Sequence, residues 1–436
     1  MLVARSEADD LPEREMNLKT YTRLAGLVWA GLLALSISAC GAGVGDIGGD
    51  GSQGANCGSN GVELCPPLVG DFALDVAVAD FNGDGRPDVA VPVFVGDSAP
   101  SIVGVYLHVS MSGDGYQPRT DLAVGKGLTT IAAHDLDGDG RADLVVTGSG
   151  GVVSVLFNDA ARPGTFKLNQ TLTAPLAGAI ALDDLNGDGR PDLVIAGDTL
   201  YVAMQDAGDA GRYAPPVSIY PSRTGFAFGA VAIGDLNGDG EPDIVVADDD
   251  GVQVVFLSAT SGAPTVASSI SLYTTGTDGD AAAVAVADID GDGKDDIVIT
   301  DSGAKTIVIF LQNGAAPGTF RAPLTYALPA GSGSSLAVAD LTGDGHLDLV
   351  TGGQDSIDVL LHDPGDPGHF LPAASYSAPL SDAVAVADLN GDGLPDIVTN
   401  GGAATYEVDG ALRSPPGVLY QNRGDPGHFG ALQNLP

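Results

Sequence analysis

The sequence predicts an all-β fold, a seven-bladed β-propeller, and three observations carry that expectation. A nine-residue pattern, D-x-[D/N/T]-G-D-G-x-x-D, recurs seven times, beginning at Asp80, Asp135, Asp184, Asp235, Asp288, Asp340 and Asp388. Its spacing of 48 to 55 residues marks a repeat architecture in which each unit is one supersecondary element. Every copy lies between short apolar runs of β character, and no long helical pattern interrupts them.

Each unit reads in the same order. A strand of small apolar residues comes first, as in Val76-Ala77-Val78-Ala79, Ala285-Val286-Ala287 and Ala385-Val386-Ala387. Ala and Val suit an inner strand converging on a ring axis and covered by neighbouring blades, where Phe would not fit. The nine-residue loop follows, then a second strand such as Asp143–Val146 or Asp296–Ile299. A bulkier third strand comes next, at Val153–Phe157, Ile307–Leu311, Ile357–Leu361 and Val418–Tyr420. A glycine-bearing turn then leads to an aromatic residue expected to open the fourth strand: Phe166, Tyr213, Phe320, Phe370 or Phe429. Four short antiparallel strands per unit make a propeller blade. Units of this length are too small to bury separate cores, so one ring covering 70–436 is expected. The last unit keeps its own fourth strand at Phe429–Leu435, while Val62–Cys65 is a candidate extra outer strand.

The loop itself reads as a calcium site. Position 1 is Asp80, Asp135, Asp184, Asp235, Asp288, Asp340 or Asp388. Position 3 is Asn82, Asp137, Asn186, Asn237, Asp290, Thr342 or Asn390, and position 5 is Asp84, Asp139, Asp188, Asp239, Asp292, Asp344 or Asp392. Position 9 is Asp88, Asp143, Asp192, Asp243, Asp296, Asp348 or Asp396. The backbone carbonyl of position 7 completes the set, from Arg86, Arg141, Arg190, Glu241, Lys294, His346 or Leu394. Ca2+ takes six to eight hard oxygen ligands in a flexible arrangement, which such a loop supplies. Carboxylates this close repel one another without a cation between them. An EF-hand would need a bidentate Glu at position 12, where the first copy has Val91, and helices where this chain has β-rich runs. A dockerin-like loop fails for want of the same helix. Plain Asx-Gly turns need one Asn-Gly or Asp-Gly, not four oxygen ligands at fixed offsets. The second and fifth loops carry four carboxylates and should fill first; Thr342 makes the sixth the poorest.

Composition fits this reading. The chain holds 57 acidic and 18 basic residues, a net charge of −39, and the loops alone account for twenty-three of the carboxylates. So negative a chain argues against nucleic acid, where basic patches should dominate. The G-x-G-x-x-G at Gly43, Gly45 and Gly48 lacks a preceding strand and a βαβ context. No G-x-S-x-G, H-E-x-x-H or P-loop is present, so the chain is not expected to be an enzyme.

The amino terminus reads as an export signal over 1–39. Lys19 and Arg23 precede the mostly apolar Leu24–Leu35, a run too short to span a membrane comfortably. Five acids before residue 16 suit no signal start, so Met16 is the expected true start. Ile37-Ser38-Ala39-Cys40 resembles the bacterial lipobox, which implies lipidation of Cys40. Residues 40–69 then form a Gly-rich tether in which Cys57 and Cys65 are expected to pair as a disulfide in an oxidising compartment. The chain is thus expected to be exported, anchored by lipid alone at the cell envelope, outer membrane or surface, and monomeric.

The seven loops and their setting resemble the FG-GAP/VCBS repeat family, the calcium-loop propeller repeat of integrin α-subunit heads and many exported bacterial proteins. Phe226-Ala227-Phe228-Gly229-Ala230 echoes the sequence that names it. The resemblance implies an extracytoplasmic, calcium-stabilised binding or adhesion module with a protein or glycan partner. The alternatives are a calcium-dependent carbohydrate-binding protein or, further off, a polysaccharide-processing enzyme. The only tryptophan, Trp29, lies in the signal, and Tyr220, Tyr273, Tyr326 and Tyr376 recur with the repeat as packing residues do. His369 and His428 occupy turns where other units have Thr165, Arg212 or Thr319, so they read as turn residues. Arg423-Gly424-Asp425 belongs to such a turn as well, matching Pro364-Gly365-Asp366. Recognition is expected on the face opposite the loops, where the long connection Asn400–Pro416 carries Tyr406, Glu407, Asp409 and Arg413.

Overall fold

The computed structural model describes residues 72–435 except 74, 95–99, 109–114, 222–227, 249–250, 259–262, 275–280, 330–332, 402–405, 409–410 and 414. The expected signal, Cys40, the tether and the Cys57–Cys65 pairing lie outside the described residues, as does the candidate outer strand Val62–Cys65. The described chain is all-β and makes seven antiparallel blade sheets, six built from consecutive strands and the last interrupted after its second strand by a separate two-stranded hairpin. Blade 2 is representative: Ile131–His134, Asp143–Gly148, Val152–Asn158 and Phe166–Thr173 pair in that order.

Alternation within the strands sends side chains to two interfaces at once, which is why the core is divided rather than central. Seven apolar clusters each join two neighbouring blades. In the third strand of blade 6, Ile357 and Val359 face blade 7 while Leu360 faces blade 5. The second strands are the most buried, and Asp143–Gly148 and Asp296–Asp301 are buried throughout. Each fully buried Val, Leu or Ile gains roughly 1.5–3 kcal/mol over exposure, so the interfaces between blades carry the cohesion. The inner strands differ from expectation. Ala230–Gly234 and Val384–Ala387 are only half-buried along their whole length. An innermost strand has a neighbour on its outer side alone, so small side chains there answer to crowding at the axis rather than to complete burial.

The aromatic residue opens the fourth strand only in blade 2, at Phe166. Tyr213, Phe320, Phe370 and Phe429 instead form isolated bridges with Gln205, Gln312, His362 and Gln421, and the outer strand starts four residues later. Pro216, Pro323 and Pro372 fall in three of those gaps, and proline cannot donate to a ladder. The ring closes by packing: Val76, Val89 and Val91 of blade 1 meet Ala383, Leu389, Val398 and Val418 of blade 7. Blade 7 keeps its own fourth strand, Gln433–Asn434, paired to Gly417–Leu419. The inner strand of blade 1 is split into Phe72–Ala73 and Ala77–Ala79, both paired with Asp88–Phe94.

Candidate metal centre

All seven loops join a first strand to a second, so antiparallel pairing gathers them on one face of the ring. The local cause of each turn is the same. The position-1 carboxylate accepts the backbone N–H of positions 5 and 6 at 2.6–3.2 Å, as Asp80 does from Asp84 and Gly85. Position 5 accepts the N–H of position 7, as Asp84 does from Arg86 at 3.0 Å. The two glycines that flank position 5 hold φ of 71° to 87° in every loop, a region that suits glycine alone at little cost.

Position 9 is the residue whose role sequence spacing under-describes. These aspartates are 0–1% exposed. One oxygen accepts the N–H of position 2, as from Phe81 to Asp88 at 2.9 Å. The other accepts the N–H of a residue at or within two residues of the end of the third strand, at 2.6–2.9 Å in all seven blades. Burial outweighs those bonds and pushes the carboxyl up to about 7 at Asp88, Asp243 and Asp396 and to about 6 at Asp143, Asp192 and Asp296. Asp348 is raised for the same cause. At Asp184 desolvation is again the largest influence, but the N–H groups of Gly189, Asp188, Asn186 and Gly187 together outweigh it and hold its carboxyl below the usual value.

The residues fit a hard cation. In the second and fifth loops, Asp135, Asp137 and Asp143, and likewise Asp288, Asp290 and Asp296, bring carboxylate oxygens within 4.8 Å of one another. Asp137 is raised by desolvation and then by the charge of Asp139, the repulsion a cation would relieve. In the sixth and seventh loops the position-3 atoms Thr342 Oγ1 and Asn390 Oδ1 are buried with no hydrogen-bond partner. Asn82, Asn186 and Asn237 instead accept the N–H of position 5 at 2.9 Å. Position 5 pairs with a basic side chain in several blades. Asp139 pairs with Arg141, Asp188 with Arg190 at 2.6 Å, Asp292 with Lys294 at 3.1 Å and Asp392 with Arg423 at 2.9 Å. Arg423, the first residue of the Arg-Gly-Asp tripeptide, is thus tied to a loop of its own blade.

The turns after the third strand share one hydrogen-bond pattern, seen from Asp159 N to Thr165 O, Asp206 to Arg212, Asn313 to Thr319, Asp363 to His369 and Asn422 to His428. His369 and His428 are turn residues there. Tyr326 and Tyr376 each accept the N–H of an aromatic residue in the next blade, Phe370 and Phe429, and pack edge-on against it. The side chain of Tyr273 lies outside the described residues. On the opposite face, the Asn400–Pro416 connection contains a hairpin, Tyr406–Val408 against Ala411–Arg413, with Glu407 opposite Leu412. Asp409 at its tip lies outside the described residues.

Five successive segments, 135–195, 184–246, 235–299, 288–351 and 340–399, match the model of the FG-GAP-like repeat, together more than half of the chain. The chain belongs to the FG-GAP-like repeat family. Of the family's eponymous stretch here, Phe228 is buried in the interface of blades 3 and 4, while Phe226 and Ala227 lie outside the described residues. No curated protein matches the chain at a significant level. Among solved structures, the FG-GAP-like propeller is similar to an Agrocybe aegerita protein described by its specific recognition of non-reducing terminal N-acetylglucosamine. That match has 22% identity and a TM-score of 0.50, and covers 70% of this chain and 80% of the other. It is similar as well to BBS1N, solved in complex with ARL6DN, at 11% identity and a TM-score of 0.51 over 83% of this chain and 96% of that one. At these identities the likeness is one of fold.

Proposed function

We propose that the protein is an extracytoplasmic binding module whose propeller is stabilised by calcium and presented from the cell envelope by a lipid on Cys40. The observation that carries the metal part is the convergence of carboxylates at Asp135, Asp137, Asp143 and at Asp288, Asp290, Asp296, in the two loops richest in charge. Positions 1, 3, 5 and 9 and the carbonyl of position 7 would hold the ion, which supplies charge neutralisation and no chemistry. The role is binding rather than catalysis. Two features support recognition on the face away from the loops. One is the hairpin within Asn400–Pro416. The other is a pair of exposed leucines, Leu176 and Leu380, holding φ of 52° and 58°, the kind of backbone strain that clusters at binding sites.

Glycan-array binding and capture of surface proteins, each with calcium and with chelator, test the reading, and intact mass reports an acyl group on Cys40. Protein capture that weakens when 402–413 is replaced by a Gly-Ser link supports it. Binding confined to glycans would replace it with the carbohydrate-binding alternative. Release of product from a polysaccharide would overturn it.

A further inference from the structure

Four amide side chains do something the loops alone do not require. Gln312 lies two residues past the third strand of blade 5, Thr306–Phe310. Its Nε2 donates to Asp235 O in the loop of blade 4 and to Asp295 O in its own loop, both at 3.1 Å. Its backbone N–H donates to Asp296 at 2.7 Å. Asn158 makes the same bridge, from Phe81 O at 2.8 Å to Ala142 O at 3.0 Å. Gln205 joins Leu136 O at 3.1 Å to Pro191 O at 3.2 Å, and Gln421 joins Leu341 O at 2.9 Å to Pro395 O at 3.0 Å. All four are 2–5% exposed, so water does not compete for these bonds. In each case one rigid amide fixes position 1 or 2 of the preceding loop and positions 8 and 9 of its own.

The bridge is not universal. Blade 4 has Leu257 at the equivalent place, blade 6 has His362 and blade 1 has His108. His362 stacks on His346 at 4.2 Å with the rings 9° apart, and both its ring nitrogens lack partners.

We propose that Asn158, Gln205, Gln312 and Gln421 are positioning residues that couple neighbouring calcium loops, dividing the ring into three linked groups: loops 1–2–3, 4–5 and 6–7. The inference rests on the calcium reading above. An ion that draws positions 1 and 9 of one loop together moves or locks the amide that also grips the next loop. By linkage, the effect is reciprocal: filling either loop raises the affinity of its partner. The group boundaries fall where Leu257, His362 and His108 supply no carboxamide.

Calcium titration calorimetry on the full chain, Gln312→Leu and Leu257→Gln tests it. Leu is what blade 4 already carries at this position, so the fold accommodates it there. Gln312→Leu should keep the number of sites while the 4–5 pair binds about fivefold or more weakly and with a flatter curve. Leu257→Gln should steepen uptake by joining the first group to the second. Melting in chelator separates the alternatives: a purely structural amide would lower the metal-free melting temperature and leave the calcium midpoints where they were. If Gln312→Leu fails to fold, Leu257→Gln alone decides. Calcium uptake identical in all three proteins would overturn the coupling and leave the metal reading standing. No uptake by the unaltered chain would overturn both.

Discussion

At the scale of single residues, Thr342 shows what the loop positions want. Its hydroxyl is buried without a partner while its methyl lies close to Gly427 of the next blade. Thr342→Asp should supply a fourth carboxylate, since charge count is one of the levers that tunes calcium affinity. The weakest class of sites should tighten about tenfold, from a starting range of roughly 10⁻⁴–10⁻³ M, in calorimetry against the unaltered chain; an unchanged isotherm would count against Thr342 as a ligand position. The five proposed ligand positions could be read without a structure because an oxygen donor at a fixed offset is a property of sequence alone. The bridging amides could not, although each is followed by Asp or Asn, as in Asn158-Asp159 and Gln421-Asn422. Their acceptors lie 69 to 80 residues away, in a neighbouring blade.

At the scale of elements, the turn between the third and fourth strands is a contact between blades as much as a reversal of chain. Gly211 holds φ of 72°, and a Cβ there would lie 2.2 Å from the Phe157 ring and 3.5 Å from Asp137 Cβ of the second loop. Gly140 has φ of 84° with nothing within 4 Å. Gly140→Ala should therefore cost about 1–2 kcal/mol, the strain of a left-handed residue alone. Gly211→Ala should cost about 1–3 kcal/mol more because Phe157 must also move. Denaturant unfolding of the two variants compares them, and equal losses would refute the packing role. Here the sequence placed the turn and its glycine correctly but mistook the aromatic residue for the first of a strand. A lone bridge and a ladder look alike when only the aromatic is visible, and the prolines beyond it were the signal that separates them.

At the scale of the whole molecule, a chain of net charge −39 sets buried carboxylates around one face of a ring. Burial raises the carboxyls of Asp88, Asp143, Asp192, Asp243, Asp296 and Asp396 to about 6 to 7 in the fold from an ordinary value of 3.8, and raises Asp348 in the same direction. A raised folded pKa contributes stability that is full below about pH 3.8 and is lost as pH rises through about 6 to 7. In chelator, the melting temperature should consequently fall between pH 5 and 7.5. Saturating calcium should remove most of that fall, since a ligand of the native state stabilises by mass action. A chelated protein whose melting temperature holds or rises across that interval would refute the assignment. The junction between blades 7 and 1 has a further consequence. Six junctions are continuous in the chain, whereas this one is made by the side chains of Val76, Val89, Val91 and their partners. The propeller is in effect a bracelet with a clasp, and each link shares its core with both neighbours. Among the described residues no strand pairs across that clasp, so what holds it shut is the burial of apolar side chains, and parting it would expose that shared core to water.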